Sequence, residues 1–208
     1  MPKNQFHILR SGDYDRMPWK NGGGLTTEIA VGPGNYTGSE NFLWRVSIAE
    51  VVKNGPFSIF PGYDRIITLI EGNGMLLDAG EKSEIDLRNR FSPKWFRGDW
   101  PVAGTLVDGP VRNFNLIYDP SRIRADVSVS HTSGHSFDLP HDTQTLLIHN
   151  LADVETFIRF TPGPDLHLAA ADTAIVQQPA KSQVSFHGPD TSSRVAMITL
   201  APVLSAED

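Results

Sequence analysis

Three short runs in the first third of the chain hold the side chains best able to do chemistry. The first, Met17-Pro18-Trp19-Lys20-Asn21-Gly22-Gly23-Gly24-Leu25-Thr26-Thr27-Glu28, sets a lysine beside three glycines. A phosphate-gripping loop needs its lysine after the glycines and a helix behind it. Here Lys20 precedes them and a strand-like run follows, so that chemistry is excluded. Glycines of this kind instead let the backbone come close to another segment or to a ligand. Along the run after them, period-two alternation puts Thr26 and Glu28 on one face and Leu25, Thr27 and Ile29 on the other.

The second run, Trp44-Arg45-Val46-Ser47-Ile48-Ala49, alternates in the same way, with Trp44, Val46 and Ile48 opposite Arg45 and Ser47. In the third, Gly55 to Ile67, Asp64 and Arg65 stand at the mouth of an otherwise apolar strand. An arginine on a sandwich exterior is simply solvated, whereas one on an inward face must find a carboxylate or a ligand. The recurrence of such groups at the starts of apolar strands points to the second situation.

Other chemistries find less support. The chain has no cysteine, which removes disulfides, thiolate metal sites and a cysteine nucleophile, and fits a reducing cytoplasm. His131, His135, His141, His149, His167 and His187 are spread over the second half without metal-ligand spacing. No Gly-x-Ser-x-Gly elbow occurs. The formal net charge is -6, from 18 basic and 24 acidic residues, with no Lys/Arg run. That balance argues against nucleic acid or an anionic membrane and leaves a small molecule or a protein as partner. The N-terminal residues show no signal-like apolar stretch, and no run approaches the length of a membrane span.

The elements that must position these residues read as strands. Glycine and proline (18 and 15 residues) punctuate short runs rich in Val, Ile, Leu, Phe and Thr, and no window sustains a helical period. We expect about sixteen strands. They include 25–31, 43–50, 64–70, 73–78, 102–107, 112–118, 144–149, 154–160, 173–177, 184–187 and 194–200. The polar segment from Tyr118 to Asp126 joins two halves of similar outline. One irregular sandwich is the alternative to such a duplication.

The turn at Gly62, the apolar strand after it and Leu69-Ile70-Glu71-Gly72-Asn73-Gly74 resemble the first motif and hairpin of cupin barrels. More narrowly, PWKNGGGLTTEI, WRVSIAEV, GPFSIFPGYDRIITLIEGNGM and FRGDWPV followed by GPVRNFNLI resemble the HutD/Ves family of bicupin proteins, over residues 18 to about 117. The resemblance implies an all-β bicupin, two cupin-like jelly-roll barrels in one chain. Residues 1–118 would form the barrel with the pocket and 119–208 a degenerate second barrel.

In metal cupins the hairpin strand carries a His-x-His pair and a glutamate. By the resemblance those positions fall near Ile59 and Pro61 and on Arg65, none of which binds a metal, and no histidine occurs between His7 and His131. No cofactor is expected, and a cation in a ligand position turns a metal site into an anion site. By motif position the pocket is lined by Lys20, Asn21, Thr26, Glu28, Arg45, Ser47, Asp64, Arg65 and Asn115, with Trp19, Phe60 and Phe96 as walls. Arg45 and Arg65 would grip a carboxylate, which the guanidinium fork matches, while Glu28 and Asp64 hold the arginines.

The resemblance also implies a regulator of histidine utilisation, and we expect a cytoplasmic monomer or homodimer. It would sense a small anionic metabolite: urocanate, N-formylglutamate or formiminoglutamate. The competing expectation is a metal-independent isomerase or hydrolase with Glu28 or Asp64 as general base and Lys20 as acid. A carboxylate beside two arginines is held ionised and makes a poor base, which favours binding over catalysis.

Overall fold

The structure is a computed structural model that describes residues 5–32, 42–82, 84–179, 183–189 and 192–203. Those residues form β-strands and a single three-residue 3-10 turn, Ser11–Asp13. The eleven strands named from sequence are all present, within a few residues at each end. The nineteen strands among the described residues exceed the expected number because several span only two to four residues, too short to carry a periodic signal.

The chain folds into two compact units. Strand β1 (Gln5–Leu9) belongs to the second. The first, Tyr14–Arg122, is built from β2 (Asp15–Pro18), β3 (Gly24–Gly32), β4 (Trp44–Val51), β5 (Gly55–Pro56), β6 (Asp64–Glu71), β7 (Met75–Asp78), β8 (Glu84–Asp86), β9 (Lys94–Arg97), β10 (Ala103–Leu106) and β11 (Val111–Tyr118). The second comprises Ile123–Asp208 with the N-terminal segment, and holds β12 (Ile123–His131), β13 (Ser133–Asp138), β14 (Thr145–Asn150), β15 (Thr156–Thr161), β16 (Asp165–Leu168), β17 (Thr173–Gln177), β18 (Gln183–His187) and β19 (Arg194–Pro202).

The division differs from the sequence expectation at the N-terminus. Strand β1 pairs with β17 from Gln5↔Gln177 to Leu9↔Thr173, and Phe6 and Ile8 pack on the second core. A five-residue strand has no stability alone, so it joins whichever sheet offers an open edge and an apolar seat. The chain therefore passes between units twice, before Tyr14 and after Arg122. The second passage falls inside the connection read from sequence.

Strand order shows the internal duplication. In the first unit β4-β11-β6-β9 lie side by side in one sheet and β5-β10-β7-β8 in the other. In the second the orders are β12-β19-β14-β17 and β13-β18-β15-β16, the same two sequences advanced by eight strands. Strands β2 and β3 extend the first pattern beyond β4, and β1 extends the second beyond β17. The turn after β6 uses Gly72 (φ 94°) and Gly74 (φ 126°), backbone angles that side-chain-bearing residues avoid.

Each unit closes its two sheets over an apolar core. In the second, Leu146, Ile148, Val195 and Met197 meet Ile158, Phe160, Val184 and Phe186. In the first, Ile67, Leu69, Val51 and Val111 meet Met75 and Leu77. The first core stops short of one end of the six-stranded sheet, where the inward residues become polar. The outward face of that sheet, with Trp44, Val46, Ile66, Ile70 and Leu116, is buried as well. Its strands therefore read as nearly continuous apolar runs in which Arg45 and Arg65 stand out.

Candidate functional site

Arg45, Ile117 and Arg65 form one row across β4, β11 and β6, since Ile117 pairs with Arg45 on one side and with Arg65 on the other. Neighbouring strands lie about 4.8 Å apart, so the two arginine backbones flank Ile117 at roughly 10 Å. Both side chains reach into a cavity of about 390 Å³ at the polar end of the first unit. Trp19, Phe57 and Phe60 give it aromatic walls, and Ser47, Asn115 and Thr26 supply hydrogen-bonding groups from β4, β11 and β3. Lys20 and Asn21, on the exposed loop before β3, stand at its edge.

Arg65 is the unusual member. It is 6% exposed, and no carboxylate pairs with it among the described residues. Its hydrogen bonds are long: Nη1 donates to the Ser58 carbonyl at 3.3 Å and Nη2 to Asn115 Oδ1 at 3.4 Å. Its Nε donates to no group among the described residues. Around the guanidinium stand the rings of Phe96, Phe57 and Phe60, at 4.9, 5.4 and 5.6 Å from the ring centres. Burial, reinforced by the nearby Arg45 charge, lowers its pKa to about 10. At neutral pH it remains a cation. Aromatic faces recover part of the lost hydration, but not what a bidentate anion would return.

Arg45 is held differently. Its Nε donates to Glu28 Oε2 at 2.5 Å, with the two side chains 18% and 27% exposed. Glu28 reaches it because the β3–β4 register shifts between Glu28 and Ala30, at a bulge that re-aims the side chain. Glu28 thus supports an arginine, as expected, but is not itself in the cavity wall. The glycine-rich loop is locked by Gly23 N–H donating to Asn21 Oδ1 at 2.9 Å. Trp19 is aimed by its indole N–H, which donates to Thr26 Oγ1 at 2.8 Å.

Of the sequence-expected lining, Lys20, Asn21, Thr26, Arg45, Ser47, Arg65 and Asn115 meet at the cavity, together with Trp19 and Phe60. Asp64 does not. It precedes Arg65 on one strand and so faces the other way, where its Oδ2 accepts from Trp95 Nε1 at 2.9 Å. Phe96 pairs in register with Arg65 and lies beneath its guanidinium, fully buried, as support rather than surface. Phe57 and Ser58 are walls that the sequence reading missed. They come from the turn after β5, where no alternation signals a direction, although an aromatic flanked by turn residues is a weak hint.

A HutD family model matches residues 11–193. An uncharacterised 21.2 kDa protein of the hutC 3' region in Pseudomonas putida is 48% identical over 59% of this chain and 63% of its own length. Protein Ves of Cronobacter sakazakii is 38% identical over 57% of this chain and 65% of its own. The matched stretch thus spans less than two thirds of either relative.

Among solved structures, a conserved protein of unknown function from Pseudomonas aeruginosa PAO1 superposes with TM-score 0.82, at 39% identity, over 95% of this chain and 99% of that one. HutD from Pseudomonas fluorescens SBW25, solved in a formate condition, gives 0.78 at 37% identity over 96% and 100%. Fold alone is shared with the cupin-like YlbA (0.65, 9% identity) and a nickel-bound pirin (0.62, 10%), both from Escherichia coli. A metal like the pirin's does not fit the residues here. The cavity lining offers cations and amides with no histidine or carboxylate, and no cluster of three His, Asp or Glu occurs among the described residues.

Proposed function

This chain belongs to the HutD family, and on that premise we propose that its cavity binds a small carboxylate metabolite of histidine utilisation, with the protein acting as sensor or regulator of that pathway. The observation that carries the reading is Arg65: a buried cation, with its Nε–H unused and no carboxylate partner among the described residues, facing a cavity. A guanidinium so placed is costly until an anion arrives. The P. putida relative of the hutC region ties the reading to its pathway.

Charge narrows the ligand. Lys20, Arg45 and Arg65 are three cations and Glu28 one carboxylate, a net of two positive charges at the site. Urocanate brings one negative charge at neutral pH, and the formimino cation of formiminoglutamate offsets one of its two. N-formylglutamate keeps both, and of the three it matches the site best. Acid–base catalysis is poorly served, since Glu28 is tied to Arg45 and Asp64 is engaged by Trp95 outside the cavity.

A thermal-shift series with the three metabolites tests this, because a ligand that binds only the folded state raises the melting temperature. The expected result is a saturable rise, largest for N-formylglutamate, with ligand recovered unchanged. No rise with any of them removes the carboxylate reading, and turnover replaces sensing with catalysis.

A further inference from the structure

The four sheets have eight end strands among the described residues, and seven of them are blunted. Strands β2, β5, β8, β9 and β16 span two to four residues and β1 spans five, while β13 is broken by a register shift between Ser133 and Ser136. Short or bulged ends keep unpaired N–H and C=O groups from recruiting another chain. The eighth, β12, is not blunted. It runs nine residues, Ile123–His131, in unbroken register with β19, and holds neither proline nor lysine. No strand lies along its other side among the described residues. Its counterpart in the first unit, β4, has that side covered by β3 and then β2.

Parity fixes which groups the open side presents. Just past the ladder, Thr132 N–H donates to the Ser193 carbonyl at 3.2 Å, whereas the Arg194 carbonyl accepts from Leu151 N–H at 3.0 Å, on the β14 side. The even-numbered residues of β12 therefore bond to β19, and the odd-numbered ones turn their N–H and C=O groups outward. Ala125, Val127 and Val129 thus present a row of backbone donors and acceptors with no backbone partner on that side among the described residues. An extended strand completes such an edge.

We propose that the strand is β12 of a second copy of this chain, laid antiparallel so that two sheets merge into one across a two-fold axis at Ala125. Charge selects this occupant. Arg124 and Asp126 are both exposed, opposite in sign and two residues apart, so they share one face of the strand. Antiparallel self-pairing about Ala125 sets Arg124 of each copy across from Asp126 of the other, twice by symmetry, and Ile123 across from Val127. The same register makes Ala125 a hydrogen-bonded pair with its own counterpart, as its outward parity requires. Arg124 also donates to Asp142, and a guanidinium carries enough N–H groups for both carboxylates.

Sedimentation velocity over a concentration series of the full chain tests the pairing. The wild type is expected to pass from monomer to dimer as concentration rises. Ala125→Pro deletes the central outward N–H without touching a bond to β19, a change that edge strands tolerate, and should leave a folded monomer. Asp126→Arg and Arg124→Glu each set like charges across the axis and should weaken association about tenfold. Mixed in equal amounts, these two variants should associate again, because one then brings two cations and the other two anions to the same edge. If Ala125→Pro fails to fold, the two charge variants and their mixture decide alone. A wild type that stays monomeric at every concentration overturns the proposal. So does a dimer that survives Ala125→Pro, and so do charge variants that associate as the wild type does and gain nothing on mixing.

Discussion

At the scale of single residues, the same buried arginine sets affinity and limits stability. Desolvation of Arg65 lowers its pKa from the ordinary arginine range to about 10, so the folded state binds its proton less tightly than the unfolded chain. The sign follows: the penalty is fully present at neutral pH and is relieved only as pH rises from about 10 towards the unfolded arginine's pKa. Replacing Arg65 by methionine should therefore raise the unliganded protein's stability, by about 1–3 kcal/mol, in denaturant melts. The same change should weaken carboxylate binding by about ten- to a hundredfold. Destabilisation with affinity intact would make Arg65 a structural residue. Because the guanidinium stays charged well below pH 10, affinity measured by titration should be flat between about pH 6 and 9. Arg45 behaves otherwise: its loss strands Glu28, which is partly exposed, and should cost no more than about 1 kcal/mol of stability.

At the scale of elements, two glycines hold the cavity walls in place. A Cβ on Gly24 would stand 2.1 Å from the Glu50 carbonyl oxygen and 3.2 Å from the Trp19 ring. Gly24→Ala should push β3 from β4, displace Trp19 and destabilise by roughly 2–4 kcal/mol, with a changed tryptophan emission as the readout. Gly98 is as tightly placed, with the Phe60 and Tyr63 carbonyl oxygens 2.7 and 2.8 Å from where its Cβ would be. Its own N–H donates to Tyr63 and its carbonyl accepts from Phe60, which fixes the turn that carries Phe60 to the cavity. Gly98→Ala is expected to lower ligand affinity and stability together, in contrast to Arg65→Met, which separates them.

At the scale of the whole molecule, the N-terminal segment completes the second unit although ten strands of the other follow it. Beyond β1, Arg10 Nη1 donates to Asp172 Oδ2 at 2.7 Å and Ser11 N–H to Oδ1 at 2.8 Å. Burial pulls the Asp172 pKa up, but these donors outweigh it and hold the group below its ordinary value. Its stabilisation is thus present above the unfolded pKa near 3.9 and is lost as pH falls through the folded one. Asp172→Asn should lower the melting temperature at neutral pH and flatten the acid side of the stability curve. Deleting residues 1–13 uncovers Phe6 and Ile8 contacts and one edge of β17, and should cost on the order of 3 kcal/mol. Hydrogen exchange in β17 would report it, and unchanged protection there would contradict the assignment.

How much of this was legible beforehand depends on how local the cause is. Alternation along one strand is set by the pleat, so the faces of β4 and β6 and the inward turn of Arg45 and Arg65 could be read from neighbouring residues. Turn glycines and apolar runs likewise marked the longer strands, and the motif series marked the family. Asp64 was misplaced by disregarding the same rule, since it and Arg65 are adjacent and cannot both face the cavity. The rest arises from pairing between segments far apart in the chain. No local pattern states that β1 closes on β17, that Ile117 sets the spacing of the two arginines, or that Phe57 and Phe60 fold over Arg65. Nor can sequence report that, among the described residues, Arg65 lacks a carboxylate and the Asn113 side-chain amide a partner, because satisfaction of a buried group is decided by what the assembled sheets bring within about 3 Å of it.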